Sequence, residues 1–237
     1  MVSDEEKTEQ PEEINEELTK YKPTKEIIDE VRKQLAPLFA DFYPSSEKFL
    51  LYQKNIPKFE EKNKKMVQSM EQLSGFIMAM RKSLPSLSEV ERKLQFKSAE
   101  FLAAIVYLVS VEVIGNAFVD RALLLLIASG CDLHLEPDFE HRYVRHATSL
   151  EDLESPSLSL STKLDFLECN GLPFFSKWID RTLRNKIAHL DFTIDEKGNF
   201  RIGQKRSDLE QKRNTFIQYM LAVKWVFNEE EKRAKSK

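Results

Sequence analysis

The sequence predicts an all-α protein, and three observations lead to this fold class. The chain of 237 residues contains only 6 glycines and 9 prolines. Between them run long segments, rich in Glu, Lys, Leu and Ala, in which apolar residues recur at helical spacing. With 41% hydrophobic and 32% charged residues, the chain can bury a substantial core as a soluble globular protein.

Residues 1–22 are predicted to form a disordered acidic arm. Residues 1–20 carry eight carboxylates and two lysines, a balance of −6, whereas the whole chain carries −3, so the remainder carries +3. The arm has neither the basic start nor the apolar stretch of a secretory signal. The weakly basic remainder is compatible with a nucleic-acid partner but does not diagnose one, because such proteins usually show a concentrated basic patch.

Residues 23–97 are predicted to form an N-terminal helical extension. Its first amphipathic helix has Thr24 as a plausible N-cap and ends near Tyr43-Pro44. A second helical stripe follows, and Pro57 should break or kink it. The stripe is rich in methionine, which favours adaptable core packing over a cofactor site; it consists of Met66, Val67, Met70, Leu73, Ile77 and Met80.

A third helix should begin at Ser86 and Glu89, which have capping-box spacing, and run to Gly130. Its region from Phe101 to Cys131 is the most apolar of the chain, but charges interrupt it at Glu112, Asp120 and Arg121. The uncharged runs are about half the 18 or so residues of a membrane span, so we expect a core helix and no membrane partner.

Residues 131–162 are expected to be an irregular connection. The group formed by Cys131, His134, His141 and His146 does not have the spacing of a zinc site. Arg142 and Arg145, with His146, form a small basic cluster that could be either a solvated loop or a phosphate-gripping one. The two cysteines form no CxxC pattern, which favours a reducing, cytoplasmic setting.

Helices resume with TKLDFLECNG and continue with PFFSKWIDRTLRNKIAHLDF. A β-hairpin is predicted near residues 191–203, around a Lys-Gly-Asn turn, and a final helix follows Ser207-Asp208. On a helical wheel the core side consists of Ile179, Leu183, Ile187 and Leu190. The opposite side consists of Trp178, Arg181, Arg184, Asn185, Ala188 and His189.

The outer side of this helix has chemistry suited to RNA cleavage. A histidine can exchange a proton with a ribose 2′-hydroxyl or a leaving oxygen, and an arginine can hold phosphate oxygens and offset developing negative charge. Arg184 and His189 are roughly 140° apart on the wheel, so one copy makes a wide pair. An exposed Trp178 and the small Ala188 favour a second surface, and two copies across a two-fold axis would form a compact cluster.

The segment RNKIAH, Arg184 to His189, resembles the signature of the HEPN superfamily, in which an arginine precedes a histidine by four to six residues. The resemblance covers residues 98–237 and implies an antiparallel helical bundle that dimerises. Catalytic members are metal-independent endoribonucleases of toxin–antitoxin and defence systems. By resemblance Arg184 and His189 are the catalytic pair, and Asn185, Arg181 and Lys186 are expected to contact the RNA.

The polar stripe of Glu112, Asn116 and Asp120 has two interpretations. Glu112 or Asn116 could orient Arg184 or His189, or the stripe could be the solvated edge of a bundle helix. The function expected from the resemblance is RNA cleavage by 2′-hydroxyl transesterification at a site shared by a homodimer, without a cofactor and with an antitoxin or other regulatory protein as partner. The alternative is a non-catalytic scaffold that uses the same face to bind a protein or nucleotide.

Overall fold

A computed structural model describes residues 21–83, 88–135, 146–147, 149–154 and 158–237. Nearly all of the predicted acidic arm lies outside these residues, as do Ser86, His141, Arg142 and Arg145. The described chain is mostly helical, which confirms the predicted α class. Its helices are α1 Lys25–Leu35, α2 Glu47–Ser83, α3 Glu89–Ser110, α4 Asn116–Ala128, α5 Leu150–Glu154, α6 Leu160–Cys169, α7 Phe175–Trp178, α8 Arg181–Ala188 and α9 Leu209–Ser236.

Two small antiparallel sheets accompany the helices. The predicted hairpin is present as β3 Thr193–Ile194 and β4 Phe200–Ile202, and a third strand, β5 Lys205–Arg206, pairs with β4. The connection expected to be irregular contains helix α5 and a two-residue ladder between β1 Leu133–His134 and β2 His146–Ala147. The sequence pattern missed these short elements because two to five residues are too few to show a period.

The caps explain where several helices begin. Thr24 is the N-cap of α1, as predicted, and its side chain accepts a hydrogen bond from the Ile27 amide at 3.4 Å. The capping box of α3 is formed by Ser88 and Glu91, so the prediction at Ser86 and Glu89 was two residues early. Both pairs have the same spacing, and the sequence alone does not distinguish them.

Two predictions involve proline. The predicted end of the first helix is wrong, and of the predicted break or kink at Pro57 the break does not occur. Helix α1 ends at Leu35, before Pro37, and a 3₁₀ turn, Ala36–Phe39, replaces the expected continuation to Tyr43. The reason is that Pro37 has no backbone N–H to donate to the Lys33 carbonyl, so the α-helical hydrogen bonding is interrupted there. Helix α2, in contrast, continues through Pro57. A proline removes one backbone donor, and the remaining hydrogen bonds of a long helix can tolerate that loss.

One hydrophobic core joins the N-terminal helices to the rest of the chain. Helix α1 packs against α9, and α2 packs against α3 and α4. The predicted boundary between residues 97 and 98 falls inside α3. Both sides of it supply fully buried side chains, including Val31, Leu35, Phe49, Leu123, Phe166 and Phe227.

The helical stretch Lys97–Ala128 is the one part of the described chain that is long and apolar enough to cross a membrane. Length and composition of a single helix are weak evidence, because the core helix of a soluble protein passes the same test. Here 44% of its most apolar window is buried within the protein. Val111, Leu123 and Leu124 are fully buried in the shared core.

Candidate active site

The segment predicted as one continuous helix is broken immediately before the motif. Helix α7 ends at Trp178, Ile179 has a non-helical ψ of 89°, and α8 begins at Arg181. Asp180 causes the new start, because its carboxylate accepts a hydrogen bond from the Leu183 amide at 2.9 Å. The same carboxylate pairs with Lys212 of α9 at 2.8 Å, which fixes the start of α8 against the last helix.

The break places Trp178 in the core, so the prediction that it lies on the outer side is wrong. Trp178 is 2% exposed, and its ring lies 5.0 Å from that of Phe216 and stacks on Tyr219. A wheel assumes one unbroken helix axis, and this axis changes between the two short helices. One of the two residues on which the dimer prediction rested is therefore buried, while Ala188 is exposed.

The end of α8 is a Schellman motif with an unusual residue in it. His189 is the C-cap, the Asp191 amide donates to the Lys186 carbonyl at 2.8 Å, and the Leu190 amide donates to the Ile187 carbonyl at 3.0 Å. Leu190 has a φ of 54°, a position that glycine usually occupies. Its side chain is 62% exposed, so the prediction that it faces the core is wrong: the helix has ended before it.

Arg184 is held by two neighbours. Its Nε forms an ion pair with Glu112 Oε1, and its Nη1 donates to Asn185 Oδ1 at 2.7 Å. Its Nη2 donates no hydrogen bond to any residue that the structure describes. Arg184 also lines a shallow depression with Ile179, Asn185, Leu160, Ser161, Leu164 and Arg181. The guanidinium is thus oriented at the surface with donor capacity remaining.

Glu112 is positioned by a π-helical turn, Val111–Gly115, between α3 and α4. Such one-turn insertions often occur at functional sites, because they re-aim side chains within a long helix. Gly115 closes the turn, and a Cβ at this position would lie 3.4 Å from the Phe216 ring and 3.5 Å from Ile179. The turn therefore brings Glu112 to Arg184, and Gly115 lies against Phe216 of α9 and against Ile179 between α7 and α8.

The other two residues of the polar stripe have a different role. Asp120 forms a buried ion pair with Lys163 of α6 at 2.5 Å, and Lys163 also donates to Asn116 Oδ1 at 3.4 Å. These contacts join α4 to α6. Asn116 is therefore placed beside Lys163, and neither Asn116 nor Asp120 forms a solvated helix edge. Of the stripe, only Glu112 reaches Arg184.

Arg181 and Lys186, expected to contact RNA, both have partners within the protein. Arg181 forms an ion pair with the fully buried Asp165 and donates to Ser176 Oγ at 3.2 Å. Lys186 pairs with Asp191 just beyond the helix. Burial makes the Arg181 contact costly to break, whereas the exposed Lys186 pair exchanges easily with solvent or a ligand.

His189 lies on the surface at the end of α8. Its amide donates to the Asn185 carbonyl at 3.0 Å, and its imidazole forms no hydrogen bond with a described residue. The ring is thus accessible to a ligand. Arg184, Asn185 and His189 share one short helix and are all at least partly accessible, although Arg184 and His189 do not contact each other through any hydrogen bond that the described chain shows.

Sequence reasoning missed a groove beside His189. It is formed between α3 and the segment after α8, with Phe101, Leu190 and Phe192 at its centre. No signal in the sequence marks it, because only the structure shows that Phe101 is exposed beside the buried Ala99 and Ala103 of the same helix. Phe192 follows the helix end, where periodicity gives no information.

Metal ligands do not converge in the described part of the chain, where no group of three or more His, Cys, Asp or Glu side chains could hold an ion. His146 Nε2 lies 2.9 Å from Asp132 Oδ1, and His134 is its partner in the short ladder. Cys131 and Cys169 are half-buried free thiols.

No protein-family model, curated protein or solved structure matches this chain. The resemblance to the HEPN superfamily therefore depends on the motif residues themselves and on their position at the surface of α8.

Proposed function

We propose that the protein is a metal-independent endoribonuclease with a HEPN-like helical fold. The observation that carries the proposal is the arrangement at α8: an oriented arginine, Arg184, within this short helix and a solvent-accessible histidine, His189, at its C-cap. Arg184 keeps donor capacity at Nη2 for a phosphate oxygen. His189 has an accessible imidazole, a group that can act as a general acid or a general base.

In the proposed reaction the 2′-oxygen of a ribose attacks the adjacent phosphorus, and the bond from phosphorus to the 5′-oxygen breaks. The products are a 2′,3′-cyclic phosphate and a 5′-hydroxyl. His189 removes the 2′-hydroxyl proton as general base and then supplies a proton to the leaving 5′-oxygen as general acid. Arg184 stabilises the negative charge that develops on the phosphate. Asn185 holds the guanidinium at Nη1, and Glu112 holds it at Nε.

A homodimer completes the proposed site. In one copy Arg184 and His189 are five positions apart on α8, and a C2 interface would set the same two residues of a second copy beside them. The exposed Ala188 allows a close approach of the second helix. We expect a dimer by multi-angle light scattering at micromolar concentration; a monomer would contradict the shared site.

The proposal is tested with purified protein and single-stranded RNA in EDTA, with analysis of the product ends. We expect cleavage that leaves 2′,3′-cyclic phosphates. His189→Ala should lower the rate by about 10²- to 10⁴-fold, the usual contribution of general acid–base catalysis. Arg184→Ala should lower it by a similar factor, because it removes a charge-assisted contact to the phosphate.

Matched controls come from the same chain. His134→Ala removes another exposed histidine, and Arg233→Ala removes another arginine that is paired with a glutamate, Glu230. Both controls should cleave at the rate of the unaltered protein. Cleavage that survives both His189→Ala and Arg184→Ala, or that requires added metal, would remove these two residues from the mechanism.

The alternative, a non-catalytic scaffold that binds a protein or nucleotide, is favoured by one observation. The ion pair with Glu112 neutralises the charge of Arg184, which is a stable arrangement for a structural residue. Absence of cleavage by the unaltered protein, together with binding that requires the same face, would support this alternative. An antitoxin or other regulatory protein is the partner proposed with the nuclease function.

A further inference from the structure

An open groove of about 500 Å³ lies directly beside the candidate catalytic helix. One side is the start of the apolar part of α3, and the other is the chain from Leu190 into β3. The volume falls within the range of roughly 300 to 1,000 Å³ that is typical of small-ligand sites. The lining residues are Lys97, Ser98, Phe101, Leu102, Leu190, Phe192, Thr193 and Ile194.

Three aromatic rings pack in a row beside this groove, and the ring at the end of the row is exposed in it. Phe200 and Phe192 stack with ring centroids 4.9 Å apart, and Phe192 and Phe101 lie 5.6 Å apart with their planes tilted by 33°. Phe200 is buried, whereas Phe101 is 41% exposed. The row thus presents an aromatic ring to solvent, and its position is fixed by the two rings behind it.

The charged side chain in the described lining of the groove is a cation, Lys97, and no carboxylate is among these described lining residues. Proteins that bind single-stranded nucleic acid combine aromatic rings, on which the bases stack, with cations that contact the phosphates. The described lining of the groove offers both groups.

One edge of the groove is formed by Leu190, whose backbone conformation is energetically unfavourable. Leu190 adopts a left-handed conformation at φ 54° and exposes its side chain to solvent. Glycine would adopt this conformation without strain but would supply no side chain to the groove. Strained residues of this kind cluster at ligand-binding positions. Leu190 directly follows His189, with a Cα–Cα distance of about 3.8 Å, so one stretch of the groove lining begins one residue after the candidate catalytic histidine.

We propose that this groove binds one unpaired nucleobase of single-stranded RNA, stacked on Phe101, with Lys97 contacting a neighbouring phosphate. The inference rests on the proposed ribonuclease function and deepens it by naming single-stranded RNA as the substrate class. A base within a duplex is stacked and paired, and it cannot enter a side groove. The groove therefore selects unpaired RNA next to His189.

Binding is measured by fluorescence anisotropy with a labelled 2′-O-methyl RNA oligonucleotide, which cannot undergo 2′-hydroxyl transesterification. Phe101→Ala should weaken binding by roughly 5- to 150-fold, the usual effect of removing one stacking ring. Phe101→Leu, which keeps an apolar side chain, should weaken it by a similar factor, and Phe101→Tyr should bind as the unaltered protein does. Tyr43→Ala removes a comparably exposed ring, 49%, outside the groove and should have no effect.

Several outcomes would overturn the groove assignment. They are no binding of the single strand by the unaltered protein, unchanged binding by Phe101→Ala, full binding by Phe101→Leu, and an equal loss on a fully paired duplex. Conversion of a dimer to a monomer by Phe101→Ala in light scattering would identify the groove as a surface between copies of this chain instead. Thermal unfolding of each variant checks that it is folded.

The binding assay and the cleavage assay test the base site and the nuclease proposal separately. Because the probe has no free 2′-hydroxyl, binding that depends on Phe101 supports the base site even if natural RNA is never cut. Conversely, cleavage that depends on His189 but not on Phe101 would uphold the nuclease proposal and overturn the base site.

Discussion

At the scale of single residues, Leu190 is where local strain and the proposed function meet. An L-residue in left-handed conformation costs about 1 to 2 kcal/mol, and the exposed side chain of Leu190 recovers little of this by burial. Leu190→Gly should therefore stabilise the protein by about 0.5 to 1 kcal/mol after the entropy of glycine in the unfolded chain is deducted. The measurement is thermal unfolding by circular dichroism, with a rise in Tm of about 1 to 4 °C.

Leu190→Ala is the matched control, since it removes the side chain but keeps a Cβ in the strained conformation. It should not raise Tm. A fall in Tm for Leu190→Gly would show that packing of the leucine against the groove outweighs the strain. Under the base-binding proposal Leu190→Gly should also weaken oligonucleotide binding, so that stability increases while affinity decreases.

The sequence placed Arg184, Asn185 and His189 together on an accessible side, and the structure has them there. It placed Trp178 and Leu190 wrongly, because the wheel extended past both ends of α8. The N-cap role of Asp180 could have been recognised from its residue type. The left-handed Leu190 could not, since leucine carries no signal for that conformation.

At the scale of elements, the predicted hairpin depends on Asp195. Its carboxylate accepts hydrogen bonds from the Asn199 side chain at 3.0 Å, the Asn199 amide at 2.9 Å and Arg201 Nε at 2.7 Å. These contacts hold the pKa of Asp195 well below its ordinary value of 3.8, and the hydrogen bonds from Asn199 contribute most to this lowering. Because the folded-state pKa is depressed, the stabilisation is complete above the unfolded-state pKa and is lost as pH falls toward the folded-state pKa.

The prediction for this hairpin concerns the stability of the protein at low pH. Asp195→Asn keeps an acceptor oxygen but removes the charge, so it should be less stable than the unaltered protein at neutral pH. The difference in free energy of unfolding between the two proteins should shrink below about pH 5. Urea unfolding of both proteins at several pH values measures it. A difference that stays constant down to pH 3 would show that the charge of Asp195 does not stabilise the hairpin.

The long helices could be predicted because many residues share each apolar pattern. The hairpin could be predicted because Lys-Gly-Asn is a turn signal. The π-helical turn Val111–Gly115 could not, since one inserted residue changes the phase of the helix without changing its composition. This turn decides which of Glu112, Asn116 and Asp120 reaches Arg184. The sequence therefore left two interpretations of the stripe open, and tertiary packing separates the three residues.

At the scale of the whole molecule, a partly buried polar network connects three helices. Arg121 of α4 pairs with Glu231 of α9, and its Nε donates to the hydroxyl of Tyr52 in α2 at 3.0 Å. Burial, and secondarily Glu231, raises the pKa of Tyr52 well above its ordinary range. The hydroxyl therefore stays protonated and donates to Glu231 at 2.9 Å.

Arg121→Met should destabilise the protein by about 3 kcal/mol, because it leaves Glu231, 14% exposed, without its cation. The expected fall in Tm is about 6 to 12 °C. Lys48→Met is the control, since Lys48 and its partner Asp41 are both exposed, 43% and 78%, and an exposed pair contributes about 0 to 1 kcal/mol. Equal Tm values for the two variants would mean that the network does not hold α2, α4 and α9 together.

The packing of α1 against α9 has a consequence for the protein as it is made. Residues 25–35 leave the ribosome early, but the helix that covers their apolar face consists of residues 209–236. At about 5 to 20 residues per second, translation from residue 35 to residue 209 takes roughly 10 to 35 s. During this interval Val31 and Leu35 lack their native cover. A nascent chain stalled before residue 209 should therefore bind chaperones through α1, and release should follow synthesis of α9.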